Sequence, residues 1–374
     1  MLRIDTPPLR LNPTILSGHD VYRGLKKISG TRCLVIISKS IFNRDEISNN
    51  IKNNLNCEII KLFDPPWGAN PNISNLSSLI LSFEEIKPDL IIVAGGGSTI
   101  DAVKAARALY EMPELLPDLT LKRTFKISKH IKSKFVIIPS TIGTGSEAST
   151  SAVLKTAVGD KMFFIGDSLL ADWVILDPSV IEFLPAELKL STMCDALAHS
   201  VESYVSTIQH PIAEDFSVWA LNKINLYWKK GLDSRPEREV LFQLQLAALY
   251  AGYAQNHMLV GAAHVMSHIY EKHGLSHGLA NAHFLPATIK VNRKNPDVHH
   301  SYNKLALAAG MVDGVDGLLQ LSEKMRNGCK KSIKPISFGM QEYMSAKTDP
   351  SGVCNPIEIG DEYLDNINSE AFNE

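Results

Sequence analysis

The sequence predicts two domains: an α/β domain with a mainly parallel sheet over residues 1–185, and an all-helical domain over residues 186–374. Short β-branched runs alternate with helical stretches in the first half, which is the pattern of a parallel sheet. Strand-like runs stop after Leu184 and Pro185, and long amphipathic helices follow. The apolar content of 45% allows each half to bury a core of its own.

Five apolar runs define the predicted sheet. Each is short and rich in isoleucine or valine, as expected of a buried strand. The runs are CLVIIS (33–38), CEIIKLF (57–63), DLIIVA (89–94), KFVIIPS (134–140) and WVILDP (173–178). Between them, SNLSSLILSFEEIK (74–87) repeats its apolar positions every three to four residues, so we expect a crossover helix there.

The second half is predicted to be helical from its periodicity. The stretches ELKLSTMCDALAHSVESYVS (187–206) and LFQLQLAALYAGYAQNHML (241–259) each carry an apolar face at helical spacing. The mildly acidic end after Gly360 predicts a final solvated helix.

The composition excludes several classes of partner. The formal net charge is -2 with both signs mixed along the chain, so there is no basic face for nucleic acid. Five scattered cysteines without a CxxC pair are typical of thiols in a reducing compartment. No apolar run reaches membrane length, and the N-terminal residues include charge and prolines where a signal peptide would be apolar. We therefore expect a cytoplasmic protein with no nucleic-acid or membrane partner.

A glycine-rich turn follows the third apolar run. Gly95, Gly96 and Gly97 stand directly before a predicted helix that opens near Thr99. Glycines there let backbone N–H groups approach an anion, and the helix N-terminus adds partial positive charge. The spacing is not GxGxxG, and a tight strand-to-helix corner is the alternative interpretation of this turn alone.

A second polar loop, PSTIGTGSEAST (139–150), follows the next strand in the same way and supplies several hydroxyls. The alternative interpretation is an ordinary loop with a helix cap at Ser146. Two such loops at the carboxyl ends of parallel strands, however, are where a doubly wound sheet binds its ligand. Together they predict a nucleotide or dinucleotide site.

The end of the first predicted strand bears on the choice of nucleotide. An acidic residue at this position favours a free ribose 2′-hydroxyl and repels a 2′-phosphate. The run here ends in Ser38, Lys39 and Ser40, so nothing repels a phosphate and the lysine could attract one. We therefore expect NADP rather than NAD, although Lys39 would look the same as a solvated surface lysine.

Histidines and one aspartate are spaced as metal ligands in the helical half. Asp195 and His199 are four residues apart, as are His264 and His268, so each pair projects from one helix face. His277 follows a helix break at a fresh turn. A shell of three histidines and one carboxylate suits Fe(II) or Zn(II) with an open position for a substrate oxygen. A structural Asp–His hydrogen bond is the alternative for the first pair taken alone.

These stretches together, GGGSTIDAVK, PSTIGTGSE, DALAHSVESY and HVMSH followed by HGLANA, resemble the iron-containing (group III, metal-dependent) alcohol dehydrogenase family. The resemblance extends over nearly the whole chain. It implies an α/β dinucleotide-binding domain followed by an all-helical domain, with the active site in the cleft between them. It also implies an NAD(P)- and divalent-metal-dependent alcohol dehydrogenase, and we expect a homodimer that acts on a small alcohol or aldehyde.

The resemblance assigns roles to individual residues. It places the metal ligands on Asp195, His199, His264 and His277, and a further active-site histidine near the nicotinamide on His268. The residues that it places around the cofactor are Asn72, Gly96, Gly97, Ser98, Asp101, Thr141, Thr144 and Lys161, together with Ser38 at the end of the first strand.

Three features of this chain depart from the family pattern. Ser38 stands where NAD-preferring members often have aspartate, which again favours NADP. The stretch from Gln255 to His257 is polar where many members place phenylalanine and small residues, so a polyol or a sugar acid of the octulosonate type is a candidate substrate. The segment between His268 and His277 is shorter than is common.

The expected reaction follows from these parts. A divalent metal polarises the carbonyl oxygen, the nicotinamide exchanges a hydride with the carbonyl carbon, and His268 relays the proton. A dehydroquinate synthase-like lyase is one alternative, but it would need a basic cluster for a substrate phosphate beside the metal. A non-catalytic scaffold paralogue is the other, and the four intact ligand positions argue against it.

Overall fold

The computed structural model describes residues 9, 11–18, 20–41, 43–67, 71–120, 122–156, 159–330 and 333–373. The chain divides into two compact units. One, the α/β unit, comprises Leu11–Thr141 and Ser146–Leu184. The other, the helical unit, contains Pro185–Glu374 together with the short segment Ile142–Gly145.

The strands of the α/β unit form two sheets. In chain order they are β1 (Thr14–Ser17), β2 (Arg32–Ile37), β3 (Ile59–Phe63), β4 (Leu90–Gly95), β5 (Thr124–Lys126), β6 (Lys134–Pro139), β7 (Ser151–Lys155), β8 (Lys161–Ile165) and β9 (Trp173–Leu176). The larger sheet has the order β1-β9-β6-β4-β2-β3, and every pairing in it is parallel. The smaller sheet has the order β5-β8-β7, with β7 and β8 antiparallel. The predicted mainly parallel sheet is thus confirmed.

Helices lie between strands of the larger sheet, as parallel pairing requires, and one short helix follows β9, the last strand. They are α1 (Arg44–Asn53), α2 (Ser77–Ile86), α3 (Gly97–Glu111) and α4 (Ser179–Glu182), with 3₁₀ turns at Val21–Lys27, Ile73–Leu76, Pro113–Thr120, Ser146–Ala148 and Asp167–Leu169. All six residues of β4 are buried, because this central strand is covered on both faces.

All five predicted strands are present, whereas β1 and the smaller sheet were not predicted. β1 has four residues with an exposed residue at each end, so it lacks the apolar run of a buried strand. β7 and β8 alternate between buried and partly exposed residues over five positions, a pattern too short to distinguish from a loop.

The described part of the second half is helical, as predicted. Its helices are α5 (Ala186–Tyr204), α6 (Pro211–Gly231), α7 (Arg238–Met258), α8 (Ala262–Lys272), α9 (His277–Asn292), α10 (Pro296–Ala308), α11 (Gly314–Gly328), α12 (Met340–Lys347) and α13 (Asp361–Phe372), with a 3₁₀ turn at Pro350–Gly352. Local signals set their ends: Asn295 caps α10 by accepting from the Asp297 and Val298 amides, just before Pro296. Among the described helices, none combines the length and the apolar character needed to cross a bilayer.

The segment Ile142–Gly145 packs against α5 and α7 by close backbone contact. A Cβ on Gly143 would lie 2.5 Å from the Thr192 carbonyl oxygen, and one on Gly145 would lie 2.3 Å from the Gly252 Cα atom. Gly145 also has a φ of 58°, in the left-handed region that favours glycine. These positions therefore require glycine for packing, independently of any ligand.

Candidate active site

The carboxyl ends of β2, β4 and β6 lie side by side at one edge of the larger sheet. The Ser38 amide donates to the Ala94 carbonyl at 2.8 Å, and the Ser140 amide donates to the Gly95 carbonyl at 2.9 Å. The sheet thus brings together the end of the first predicted strand, the glycine-rich turn and the start of the second polar loop. This is the edge at which a doubly wound sheet binds ligands.

The glycine-rich turn opens directly into α3, with Gly96 as the N-cap residue. A Cβ on Gly96 would lie 2.9 Å from Cγ2 of Thr141, so glycine allows the two cofactor segments to touch. Gly96 and Ser98 are half-buried. The first N–H groups of this 15-residue helix form an anion-binding end that suits a diphosphate.

Asp101 and Lys104 lie in α3, one turn apart. Both form hydrogen bonds to the end of the second polar loop that leads into β7. Asp101 accepts from the Ser146 hydroxyl at 2.5 Å and from the Val153 amide at 2.9 Å. Lys104 is fully buried, and burial lowers its pKa to about 8 although the Asp101 carboxylate opposes this shift. The Lys104 ammonium donates to the carbonyls of Ser146 and Ser149, each at 2.6 Å, and of Ser151 at 3.0 Å.

Sequence reasoning assigned Asp101 to the cofactor and did not identify Lys104. Both oxygens of Asp101 accept bonds from the chain itself, so its observed contacts are with the loop. The lysine was visible in the sequence as part of GGGSTIDAVK, but its three carbonyl partners lie 42 to 47 residues away. Only the fold brings them together.

Asn72 and Lys161 both pair with Lys155 of the smaller sheet. Asn72 forms an isolated parallel bridge with Lys155, which pairs with Lys161 across β7 and β8. The Asn72 side chain also accepts from the Asn75 amide at 3.2 Å and caps the short 3₁₀ turn. Asn72 therefore has a structural role in addition to its predicted place near the cofactor.

At the end of β2, an acidic residue lies close to the serines and lysine that predicted NADP. The Lys39 ammonium is 3.7 Å from an Asp64 carboxylate oxygen, and the Arg44 guanidinium is 2.6 Å from the other. Lys39 and Asp64 are more than half exposed. Ser38 and Ser40 hydroxyls lie 2.8 Å apart. Asp64 was missed because it follows the neighbouring strand, β3.

The predicted metal ligands converge in the helical unit. Asp195 and His199 lie one turn apart on α5, His264 lies near the start of α8, and His277 is the first residue of α9. Their Nε2 atoms surround one oxygen, Oδ1 of Asp195, at 3.8 Å from His199, 3.6 Å from His264 and 3.3 Å from His277.

The three distances to Asp195 Oδ1 are close to the ligand–ligand separation of a tetrahedral metal site. Ligand atoms about 2.1 Å from a shared ion stand about 3.4 Å apart on a tetrahedral edge. Ligand atoms of Asp195, His199 and His264 lie within 4.8 Å of one another. The donor set, three imidazoles and one carboxylate, is one that Fe(II) and Zn(II) both accept.

Two carboxylates accept hydrogen bonds from two of the proposed ligand imidazoles. His264 Nδ1 donates to Glu202 at 2.5 Å, and His277 Nδ1 donates to Glu271 at 2.5 Å. Glu202 also accepts from the Ala263 amide at 2.6 Å, so it caps α8 while it holds the histidine. Donation from Nδ1 leaves the Nε2 lone pair of each ring for a metal.

An amide completes the surroundings of Asp195. The Asn281 Nδ2 atom donates to Asp195 Oδ1 at 2.8 Å and lies 3.2 Å from His264 Nε2 and 3.3 Å from His277 Nε2. The Ser267 hydroxyl donates to Asn281 Oδ1 and so fixes which way the amide faces. Glu202, Asn281 and Ser267 were all missed by sequence reasoning.

Without metal, the site is a network of buried charge. Burial would raise the pKa of the Asp195 carboxyl, but His199 and His277 hold it well below its ordinary value. Burial would lower the pKa of His277, but Asp195 and Glu271 raise it to about 10. Burial dominates at His199 and lowers its pKa to about 4. A divalent cation would take the place of the protons that this network holds.

His268 lies beside this cluster with a carboxylate partner of its own. Its Nδ1 donates to Asp349 at 2.6 Å, and its ring stacks on that of His277 with centroids 5.4 Å apart. Burial would raise the pKa of Asp349, but His268 lowers it. A histidine oriented by a carboxylate is the arrangement of a general acid or base. His273, at the end of the same helix, is the C-cap residue of α8.

Two family descriptions match this chain. "Iron-containing alcohol dehydrogenase" matches residues 12–178, and "Fe-containing alcohol dehydrogenase family, C-terminal" matches residues 189–331. The chain belongs to the iron-containing alcohol dehydrogenase family. As a member of this family it is an alcohol oxidoreductase, and the family resemblance seen in the sequence is confirmed.

Relatives of this iron-containing alcohol dehydrogenase support the assignment. An NADPH-dependent butanol dehydrogenase from Clostridium saccharobutylicum is 28% identical over 346 residues, covering 87% of this chain and 86% of the relative. The iron-containing alcohol dehydrogenase of Thermococcus thioreducens has a TM-score of 0.86 at 22% identity, covering 98% and 99% of the two chains. Sulfoacetaldehyde reductase from Bifidobacterium kashiwanohense, in complex with NAD+, has a TM-score of 0.83 at 19% identity, covering 98% and 99%. The two structures share the fold that the sequence predicted.

Proposed function

We propose that this chain is an NAD(P)- and metal-dependent alcohol dehydrogenase, or aldehyde reductase, that interconverts a primary alcohol and its aldehyde. The observation that carries the proposal is the meeting of three imidazole Nε2 atoms around Oδ1 of Asp195. We assign Asp195, His199, His264 and His277 as ligands of Fe(II) or Zn(II). When bound, such an ion supplies a Lewis acid for the substrate oxygen.

The chain's own residues prepare the site for this chemistry. Glu202 accepts from Nδ1 of His264, so that Nε2 of this ring faces Asp195. His268, oriented by Asp349, is the proposed carrier of the proton that the alcohol oxygen loses or gains. The low exposure of Asp195, His199 and His264 keeps water away from the ligands, which strengthens electrostatic interactions there.

For the cofactor we propose the residues around the carboxyl edge of the larger sheet. Gly96, Gly97 and Ser98 would receive the diphosphate at the N-terminus of α3, and the remaining proposed contacts are Ser38, Asn72, Asp101, Thr141, Thr144 and Lys161. NADP is favoured over NAD because Ser38 carries no charge that would repel a 2′-phosphate. The NADPH-dependent relative supports this preference, whereas the more distant sulfoacetaldehyde reductase is in complex with NAD+.

The polar stretch from Gln255 to His257 makes a polyol or a sugar acid the finer candidate for the substrate. Among the polar residues that suggested it, Gln255 donates to the Thr144 carbonyl at 3.3 Å, and His257 Nδ1 lies 2.8 Å from the Tyr253 carbonyl. Both side chains thus bond to the chain itself. The lyase alternative is not favoured, since the described side chains that bond the ligands are carboxylates and an amide rather than phosphate-binding bases. A cytoplasmic homodimer remains our expectation.

The test is an anaerobic assay of cofactor oxidation. Metal-free protein is reloaded with Fe(II) or Zn(II) and supplied with NADPH or NADH, short aldehydes and aldehydo sugar acids. We expect turnover that depends on metal and is faster with NADPH, and a Ser38→Asp variant should shift the preference at least tenfold toward NADH. Absence of turnover with every aldehyde and both metals would contradict the proposal.

A further inference from the structure

Glu271 is a buried carboxylate at the C-terminal end of a helix, where a negative charge is energetically unfavourable. It is 6% exposed and lies in the last turn of α8. Burial without a partner penalises a charged carboxylate by several kcal/mol. The C-terminal end of a helix is also the negative end of its dipole, which disfavours an anion there.

The partner of Glu271 is the ring of His277. A short turn, residues 273–276, reverses the chain between α8 and α9 and includes Gly274 with a φ of 88°. This reversal brings His277 Nδ1 to 2.5 Å from Glu271 Oε1, six residues earlier in the sequence. The opposite ring atom, Nε2, lies 3.3 Å from Asp195 Oδ1.

His277 needs such a partner more than the other proposed ligands do. Its side chain is 28% exposed, against 6% for His199 and 3% for His264. It is also the first residue of its helix, whereas His199 lies in the interior of α5. Helix ends fray, and a partly exposed imidazole there has more rotamers and both tautomers open to it.

We propose that Glu271 is a positioning residue that holds His277 in the tautomer and orientation that ligate the metal, and thereby strengthens metal retention. This inference rests on the metal site of the proposed function. The Nδ1–H donates to the Glu271 carboxylate, so the Nε2 lone pair is directed at the ion, and the anionic acceptor increases the donor strength of the ring.

A second ligand role for Glu271 is the competing possibility. Ligand atoms of His268, Glu271 and His277 lie within 4.8 Å of one another. His277 cannot donate from Nδ1 to Glu271 while both bind a second ion, so the two roles exclude each other. Metal stoichiometry separates them: positioning predicts one bound ion per chain, and two would overturn it.

The experiment compares zinc affinity among full-length variants, measured by competition with a chromophoric chelator. Glu271→Gln keeps the shape but removes the anionic acceptor, and we expect it to bind zinc about 10- to 100-fold more weakly than wild type. Glu342→Gln is the matched control, since Glu342 lies 3.9 Å from His273, outside the metal cluster. The control should bind zinc as wild type does, and the cobalt absorption spectrum should change only in Glu271→Gln.

Further readouts separate the possible failures. Glu271 also pairs with His277 in the metal-free protein, so Glu271→Gln should lower the unfolding temperature in either role. The cobalt spectrum at full metal loading separates the roles, because a merely structural role would weaken the affinity without changing that spectrum. If Glu271→Gln misfolds, nitrogen NMR of the zinc-loaded wild type decides, and we expect His277 protonated at Nδ1; protonation at Nε2 would overturn the proposal. If wild type binds zinc, His277→Ala does not, and Glu271→Gln binds normally, only the role of Glu271 is wrong. If wild type binds no divalent metal, the proposed function itself is wrong.

Discussion

The Asn281 amide nitrogen donates to Oδ1 of Asp195 at 2.8 Å, and this is the same oxygen that the three imidazole Nε2 atoms surround. A hydrogen bond to a ligand carboxylate holds the rotamer of that side chain. Asn281 is fully buried, so its amide cannot exchange this partner for water.

Replacing Asn281 with leucine should therefore weaken metal binding without altering the four proposed ligands. We expect roughly tenfold lower zinc affinity, since loss of an outer-shell partner typically costs 10- to 100-fold. Asn222→Leu is the control, because its amide donates to the Ala309 carbonyl outside the metal cluster. Equal zinc affinity in wild type and Asn281→Leu would show that the amide does not support the site.

His268→Asn should separate metal binding from proton transfer. His268 contacts Asp349 rather than Asp195, so the variant should retain a full complement of metal. We expect kcat to fall about 10²- to 10⁴-fold, as is usual for loss of a general acid or base. The measurement is kcat against pH together with metal content. A variant with the wild-type pH–rate profile would contradict the proton-carrier role.

Lys104→Met should destabilise the α/β unit and weaken cofactor binding. The change leaves three buried carbonyls, of Ser146, Ser149 and Ser151, without their ammonium donor. We expect the free energy of unfolding to fall by about 2–4 kcal/mol and the Kd for NADPH to rise. Lys122→Met, which removes an exposed ion pair with Asp118, should leave both quantities near wild type. An unchanged free energy of unfolding in the Lys104 variant would show that these three hydrogen bonds do not stabilise the α/β unit.

His283 should make stability depend on pH in the acid range. Burial lowers the pKa of His283 to about 4 from an ordinary 6.5, and its Nε2 has no hydrogen-bond partner within the described chain. Between these values the unfolded chain binds more protons than the folded chain, so stability rises with pH and is lost as pH falls from 6.5 toward 4.

His283→Phe should remove this dependence. The difference in unfolding free energy between wild type and variant should change by up to about 3 kcal/mol between pH 7 and pH 4. Denaturant unfolding at several pH values measures it, with His300→Phe, an exposed histidine on α10, as the control. A difference that is constant with pH would mean that His283 is not held neutral.

The sequence predicted the elements whose signal is local. Apolar runs marked the five strands, and the i, i+4 spacing of Asp195 and His199 placed both on one face of α5. Glu202 lies seven residues after Asp195 on the same face and could have been found in the same way. β1 could not, because its stability comes from pairing with β9, more than 150 residues away.

The remaining residues of the site depend on tertiary contacts. Asp349 meets His268 across 81 residues, and Asn281 meets Asp195 across 86. Nothing in the local pattern of either residue distinguishes it from an ordinary surface or helix position. Glu271 was not predicted for another reason. Glutamate is common in the last turn of a solvent-exposed helix, and only the structure shows that this one is buried.

The most direct test of the metal centre is anomalous diffraction at the zinc absorption edge from crystals of the zinc-loaded protein. We expect one strong peak per chain, about 2.0–2.2 Å from Asp195 and from the Nε2 atoms of His199, His264 and His277. A peak bound instead by His268 and Glu271, or no peak in fully loaded protein, would contradict the assignment.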